Sequence, residues 1–158
     1  MKPSMYIETT VISYLVGWLS RNDLQVAANQ QLTRQWWVSR RGEFELFGSA
    51  VLVDEITDGD PHLAAERLSY LQGVTILQTT PAAHALQAAL LRHSRIPQKA
   101  YTDALHIAIA AVHGIEYLVT WNCKHIANAV TLPAVYEVCR TSGYEPPFVC
   151  TPQELMGE

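Results

Sequence analysis

Apolar and polar positions fall along the chain in blocks that predict short strands separated by helices. Met5 to Ile7 is an apolar start that reads as a first strand, and Glu8-Thr9-Thr10 follows at once. Val11 to Val16 predicts one or two helical turns, with a hydroxyl ahead of them as cap. From Asp23 to Val38, Leu24, Ala27, Ala28, Leu32 and Trp36 recur near helical spacing, and Arg40-Arg41-Gly42 supplies a basic last turn and a glycine stop. Phe44 to Phe47 reads as a second strand. Ser49 is placed to cap a helix over Ala50 to Ile56, and Asp60-Pro61 opens another through Leu71. Val74 to Leu77 is β-like, and Thr80-Pro81 starts a helix reaching His93. Ala104 to Val112 is apolar nearly all round, so this helix belongs inside the molecule. Gly114 stops it, and an apolar strand from Tyr117 to Thr120 leads into a polar loop. A helix over Leu132 to Thr141, a strand over Phe148 to Cys150 and a terminal helical turn from Thr151-Pro152 complete the chain.

This alternation predicts the α/β class: a three-layer sandwich with a mainly parallel central sheet flanked by helices. The 158 residues suit a single domain, 1–158, with no repeat or linker inside it. Composition changes the picture little, with 49% hydrophobic and 16% charged residues. No apolar run approaches the roughly 20 residues of a membrane span. The start of the chain lacks the apolar core of a signal peptide, so the expectation is a cytoplasmic protein with no membrane partner. The three cysteines form no C-x-x-C pattern and read as reduced, small apolar residues. A net charge of −4 argues against coating nucleic acid by bulk charge, but an acidic metal site and a local basic rim can share one surface.

Candidate chemistry sits where the strands end, since ligands of such sheets bind beyond the carboxyl ends of the strands. Glu8 directly follows the first strand and Asn122 follows the strand from Tyr117. Asp103 heads the buried helix before that strand, and its desolvation has to be compensated by solvent, a helix N-terminus or a metal. Glu55, one helix beyond the second strand, reaches the same rim from the side. Three carboxylates and a polar loop are hard oxygen donors, which suit Mg2+ or Mn2+ better than zinc. The matching chemistry is metal-assisted phosphodiester hydrolysis. No nucleotide-binding glycine motif and no convincing Ser–His–Asp or Cys–His set competes with it.

Four segments, in this order and spacing, resemble the PIN-domain ribonucleases and in particular the VapC-type toxins. They are Tyr6-Ile7-Glu8-Thr9-Thr10, Ser49 to Ile56, Thr102-Asp103-Ala104-Leu105, and Tyr117 to Asn122 with Lys124-His125-Ile126. The resemblance covers most of the chain. It implies a Mg2+- or Mn2+-dependent endoribonuclease, the toxin of a toxin–antitoxin pair, with an RNA substrate, a cognate antitoxin and a homodimeric state. It implies metal ligands at Glu8, Glu55 and Asp103, with Asn122 among the catalytic residues and Thr10 orienting the acids. Two positions depart from the family pattern: Glu8 stands where aspartate is usual, and His125 where a fourth acid is usual. With three carboxylates, a single firmly bound ion is favoured over two. The two departures also motivate the alternative, a weakly active or inactive PIN fold that binds protein or RNA.

Each position has a plainer reading as well. Glu8 alone suits a strand end, Asp103 a helix N-cap or a first-turn acid stabilised by the dipole, and Thr10 a cap. Asn122 suits a turn, and Asp54 beside Glu55 suits a solvated surface. His106, one turn from Asp103, either orients that carboxylate or fills a hydrogen-bonded core position. Trp36, Trp37 and Trp121 offer faces for stacking on bases, although core packing or a dimer contact fits the first two better. Arg92, Arg95, Lys99 and Lys124 flank the acidic stretch and suit either phosphate contacts or a solvated connection.

Overall fold

The computed structural model describes residues 1–157. Its strands are β1 (Ser4–Ile7), β2 (Glu45–Ser49), β3 (Thr75–Leu77), β4 (Tyr117–Val119) and β5 (Phe148–Cys150). Its α-helices are α1 (Thr9–Leu15), α2 (Leu24–Arg40), α3 (Ala50–Ile56), α4 (Pro61–Ser69), α5 (Pro81–His93), α6 (Tyr101–Val112) and α7 (Leu132–Thr141). The strands form one sheet in the order β3-β2-β1-β4-β5, and every neighbouring pair is parallel. Parallel neighbours need crossovers, which the helices supply. The chain lays down β1, β2 and β3 outwards, then returns past β1 to add β4 and β5. That reversal makes the carboxyl ends of β1 and β4 the topological switch point, the place where open α/β sheets bind ligands.

Period-two alternation along the strands divides the core into two layers. Tyr6 and Leu118 face one layer, packed with Leu86 and Leu90 of α5, Ile107 of α6 and Val135 of α7. Met5, Ile7, Leu46 and Val119 face the other, packed with Ile12 of α1, Trp36 of α2, and Leu52 and Ile56 of α3. The three-layer expectation holds, and the sheet is parallel throughout. Trp36 and Trp37 are buried in the second layer with ring centroids 6.2 Å apart, so core packing is their role.

Several element boundaries differ from those expected. β2 runs on through Gly48 and Ser49, which pair with Ile76 and Leu77 of β3, and α3 packs close over it: a Cβ at Gly48 would stand 2.7 Å from Leu52 Cδ2. The α6 helix starts at Tyr101, which puts Asp103 in its first turn, the second of the two plainer readings of that acid, and not at its N-cap. It ends as expected at Gly114, whose φ of +68° favours glycine, with Ile115 N–H returning to Ala110 O at 3.0 Å. The expected helical turn at Thr151-Pro152 is a run of turns and not a helix.

Candidate active site

Glu8 directly follows β1 and caps α1 with its own carboxylate, so the expected hydroxyl cap is replaced by an acid. Its side chain is buried, and Oε1 accepts three donors: the Thr10 amide at 3.1 Å, the Thr10 hydroxyl at 2.5 Å and the Thr120 hydroxyl at 2.6 Å. Both hydroxyls are themselves oriented. Thr10 Oγ1 accepts the Trp121 N–H at 2.8 Å, and Thr120 Oγ1 accepts the Asn122 N–H at 2.9 Å. Each threonine therefore takes a backbone proton from the strand-four loop and gives its own to Glu8. The β1–β4 register makes this possible, because Ile7 pairs with Val119 and the next residues face each other at the switch point. Thr10 thus holds the acid as well as standing in the first turn of α1.

Glu55 reaches the site from the last turn of α3. Its Oε1 accepts the Thr9 hydroxyl at 2.6 Å and contacts His106 Nε2 at 2.5 Å. His106 is fully buried on α6, and its Nδ1 lies 2.6 Å from the Tyr6 hydroxyl. Tyr6 in turn bonds Ser49 Oγ at 2.7 Å, and Ser49 caps α3 by accepting the Leu52 N–H at 3.2 Å. The partner of His106 is therefore Glu55 and not Asp103, which answers the question the helical spacing had left open.

Electrostatics follow from this packing. Burial pulls the His106 imidazole down, but the bond to Glu55 and the fields of Glu8, Glu55 and Asp103 outweigh it and raise its pKa above the ordinary value. Burial opposes ionisation of Glu55, and its bonds to His106 and Thr9, with the imidazole's charge, outweigh that and hold its pKa below the ordinary value. Burial also pushes the Tyr6 phenol up, against the pull of its Ser49 bond. All three candidate acids thus act on one buried histidine. Asp103 is half-buried in the first turn of α6, where the helix dipole favours it. Among the described residues, neither Glu8 nor Asp103 has a salt-bridge partner.

Asn122 is engaged locally. Its Oδ1 accepts the His125 N–H at 3.0 Å and its carbonyl accepts the N–H groups of Ile126 and Ala127, so it builds the turn after β4. His125 is half-buried in that turn, and Asp54 is exposed. Arg92, Arg95, Lys99 and Lys124 are all exposed, and none of them is in a salt bridge. Trp121 donates from Nε1 to Thr33 at 2.6 Å and stacks on Tyr14, with centroids 6.2 Å apart.

Glu8, Glu55 and Asp103 are hard oxygen donors of the kind that suits a divalent cation, and the charges of all three act on His106. The donor set is not preassembled: among the described residues, no three His, Cys, Asp or Glu side chains are gathered to hold an ion. Sequence reasoning had not placed Tyr6, Thr9 or Thr120 here, and had read Ser49 only as a cap. The available signal was Tyr6 itself, because a tyrosine in a fully buried strand needs a partner for its hydroxyl.

The fold defines an all-parallel α/β protein with Glu8 just beyond β1 at its topological switch point. The chain belongs to the PIN-domain family, whose profile matches residues 5–125. No curated protein matches the chain significantly. Among solved structures it is similar to Mycobacterium tuberculosis VapC20, a sarcin–ricin loop cleaving toxin, with a TM-score of 0.56, 13% identity, and 91% of this chain and 100% of that chain covered. It is also similar to VapBC2 from Rickettsia felis bound to a DNA fragment from their promoter, with a TM-score of 0.51, 13% identity, and 93% and 97% of the two chains covered. At that identity the likeness is one of fold.

Proposed function

We propose that the chain is a metal-dependent endoribonuclease, the toxin of a type II toxin–antitoxin pair, acting on RNA in the cytoplasm. The observation that supports the reading is the bond of Glu55 to buried His106, whose pKa the charges of Glu8 and Asp103 also raise, with neither Glu8 nor Asp103 neutralised by a basic side chain among the described residues. Membership of the PIN-domain family and the fold shared with a sarcin–ricin loop cleaving toxin support it.

Glu8, Glu55 and Asp103 would hold one Mg2+ or Mn2+ ion. When bound, the ion lowers the pKa of a water and neutralises charge on the attacked phosphate. Glu8 is fixed by three donors to one oxygen, which leaves the other oxygen free of hydrogen bonds among the described residues. Asn122 shapes the turn that carries His125 to the rim, where both assist through water. Arg92, Arg95, Lys99 and Lys124 position the RNA backbone without reading its sequence. The shared fold with VapBC2 supports a cognate antitoxin that covers these acids, and family resemblance supports a homodimer.

One observation favours a second reading, a PIN fold that binds partners without cleaving: Glu55 is already tied to His106, and the acids are not gathered into a ready cation site. The test is cleavage of a single-stranded RNA by purified protein. With Mn2+ present the wild type cuts, and both a chelator and Asp103→Asn stop the reaction. Equal cutting by Asp103→Asn would remove the enzyme reading, and no cutting by either protein would favour the binding module.

A further inference from the structure

The contacts Leu52 N–H to Ser49, Ser49 to Tyr6, Tyr6 to His106 and His106 to Glu55 form a single chain of hydrogen bonds. Its two ends lie on the same short helix. Ser49 caps the start of α3 and Glu55 stands in its last turn, while the middle of the chain belongs to β1 and α6. Three of its members, Tyr6, Ser49 and His106, are fully buried. Polar side chains are kept at such positions only when their partners satisfy them.

The direction of the chain follows from the chemistry of its ends. Ser49 Oγ accepts the Leu52 amide proton, so its own proton is free to go to Tyr6 O. Tyr6 then gives its proton to His106 Nδ1, which leaves Nε2 to carry the ring proton. An ionised carboxylate only accepts, and Nε2–H meets Glu55 Oε1. With a neutral imidazole, every donor and acceptor along the chain is used once in one direction. The opposite tautomer would put a bare Nε2 against a bare carboxylate oxygen.

We infer that Ser49, Tyr6 and His106 are a positioning relay that fixes the Nε2–H tautomer of His106 and so holds Glu55 in place. Glu55 is more than a third exposed on a helix of seven residues, so without the relay its side chain has rotamers to choose among. The relay pins Oε1, with Thr9 as a second donor, and leaves Oε2 without a partner among the described residues. It also ties α3 at both ends to the central strand and to the helix that carries Asp103. Groups one shell out from a metal ligand commonly set its orientation in this way. The metal-binding consequence rests on the nuclease reading; the tautomer does not.

The test uses full-length protein with Tyr6→Phe, which removes one oxygen and keeps the ring. Long-range proton–nitrogen NMR at alkaline pH reads the His106 tautomer, and titration with Mn2+ alone reads metal affinity. The wild type is expected to show Nε2–H with Nδ1 accepting a hydrogen bond. In Tyr6→Phe the Nδ1 signal moves to that of an unbonded ring nitrogen, and Mn2+ binds about 10–100-fold more weakly. An Nδ1–H tautomer in the wild type overturns the relay even if the variant does not fold. So does an unchanged Nδ1 signal in a folded Tyr6→Phe, and, where the wild type binds Mn2+, an equal Mn2+ affinity in that variant. A wild type that binds no Mn2+ but shows the expected tautomer defeats the nuclease reading and leaves the relay standing.

Discussion

Glu8 shows how a buried acid is made tolerable one residue at a time. Its carboxylate has no cation beside it among the described residues, and two threonine hydroxyls and an amide take that place. Hydrogen bonds to a charged group are worth about 1.5–3 kcal/mol each, so Thr120→Val, which keeps the shape but removes that donor and also the acceptor of the Asn122 N–H, is expected to lower stability by at least that amount in denaturant titrations. The Glu55–His106 pair predicts a pH dependence whose sign can be worked out. The pKa of Glu55 is lowered, so its contribution is present above the ordinary carboxylate value of 4.5 and is lost as pH falls through the folded value. The pKa of His106 is raised, so its contribution is full below the ordinary value of 6.5 and is lost as pH rises through the folded value. The stability difference between wild type and His106→Gln should therefore be greatest between these two pH values. A difference that grows from neutral to alkaline pH would contradict the pairing.

At the scale of elements, most of the pattern was legible because local signals agreed. Ser49, Asp60 and Thr80 cap the helices they were expected to cap, each accepting an amide from the first turn. Gly114 ends α6 where the apolar run stops. The failures have particular causes. Gly48 and Ser49 hid the end of β2, since neither favours a strand in isolation, and only the approach of Leu52 explains the glycine. Gly48→Ala should therefore destabilise the protein by about 1–3 kcal/mol, through overpacking against α3. An equal or higher melting midpoint would show that Leu52 can move aside. Glu8 as the cap of α1 was also hidden, because an acid after a strand reads equally well as a site residue.

For the whole molecule, alternating strands and helices were enough to give the class and the parallel sheet, but not the strand order. That order depends on contacts between Tyr6, Phe47 and Leu118, which lie far apart in sequence. The site was legible as a set of acids and not as an arrangement. Nothing local to His106 says that its partner is 51 residues away on α3. Among the described residues, no helix is long and apolar enough to cross a membrane. The central claim is that acids from the end of β1, from α3 and from α6 share one divalent ion, and anomalous diffraction from crystals containing Mn2+ tests it most directly. The account predicts one peak at the carboxyl ends of β1 and β4, about 2.1 Å from oxygens of Glu8 and Asp103, with Glu55 in direct or water-mediated contact. Mn2+ bound elsewhere, or none bound at the switch point, would contradict it.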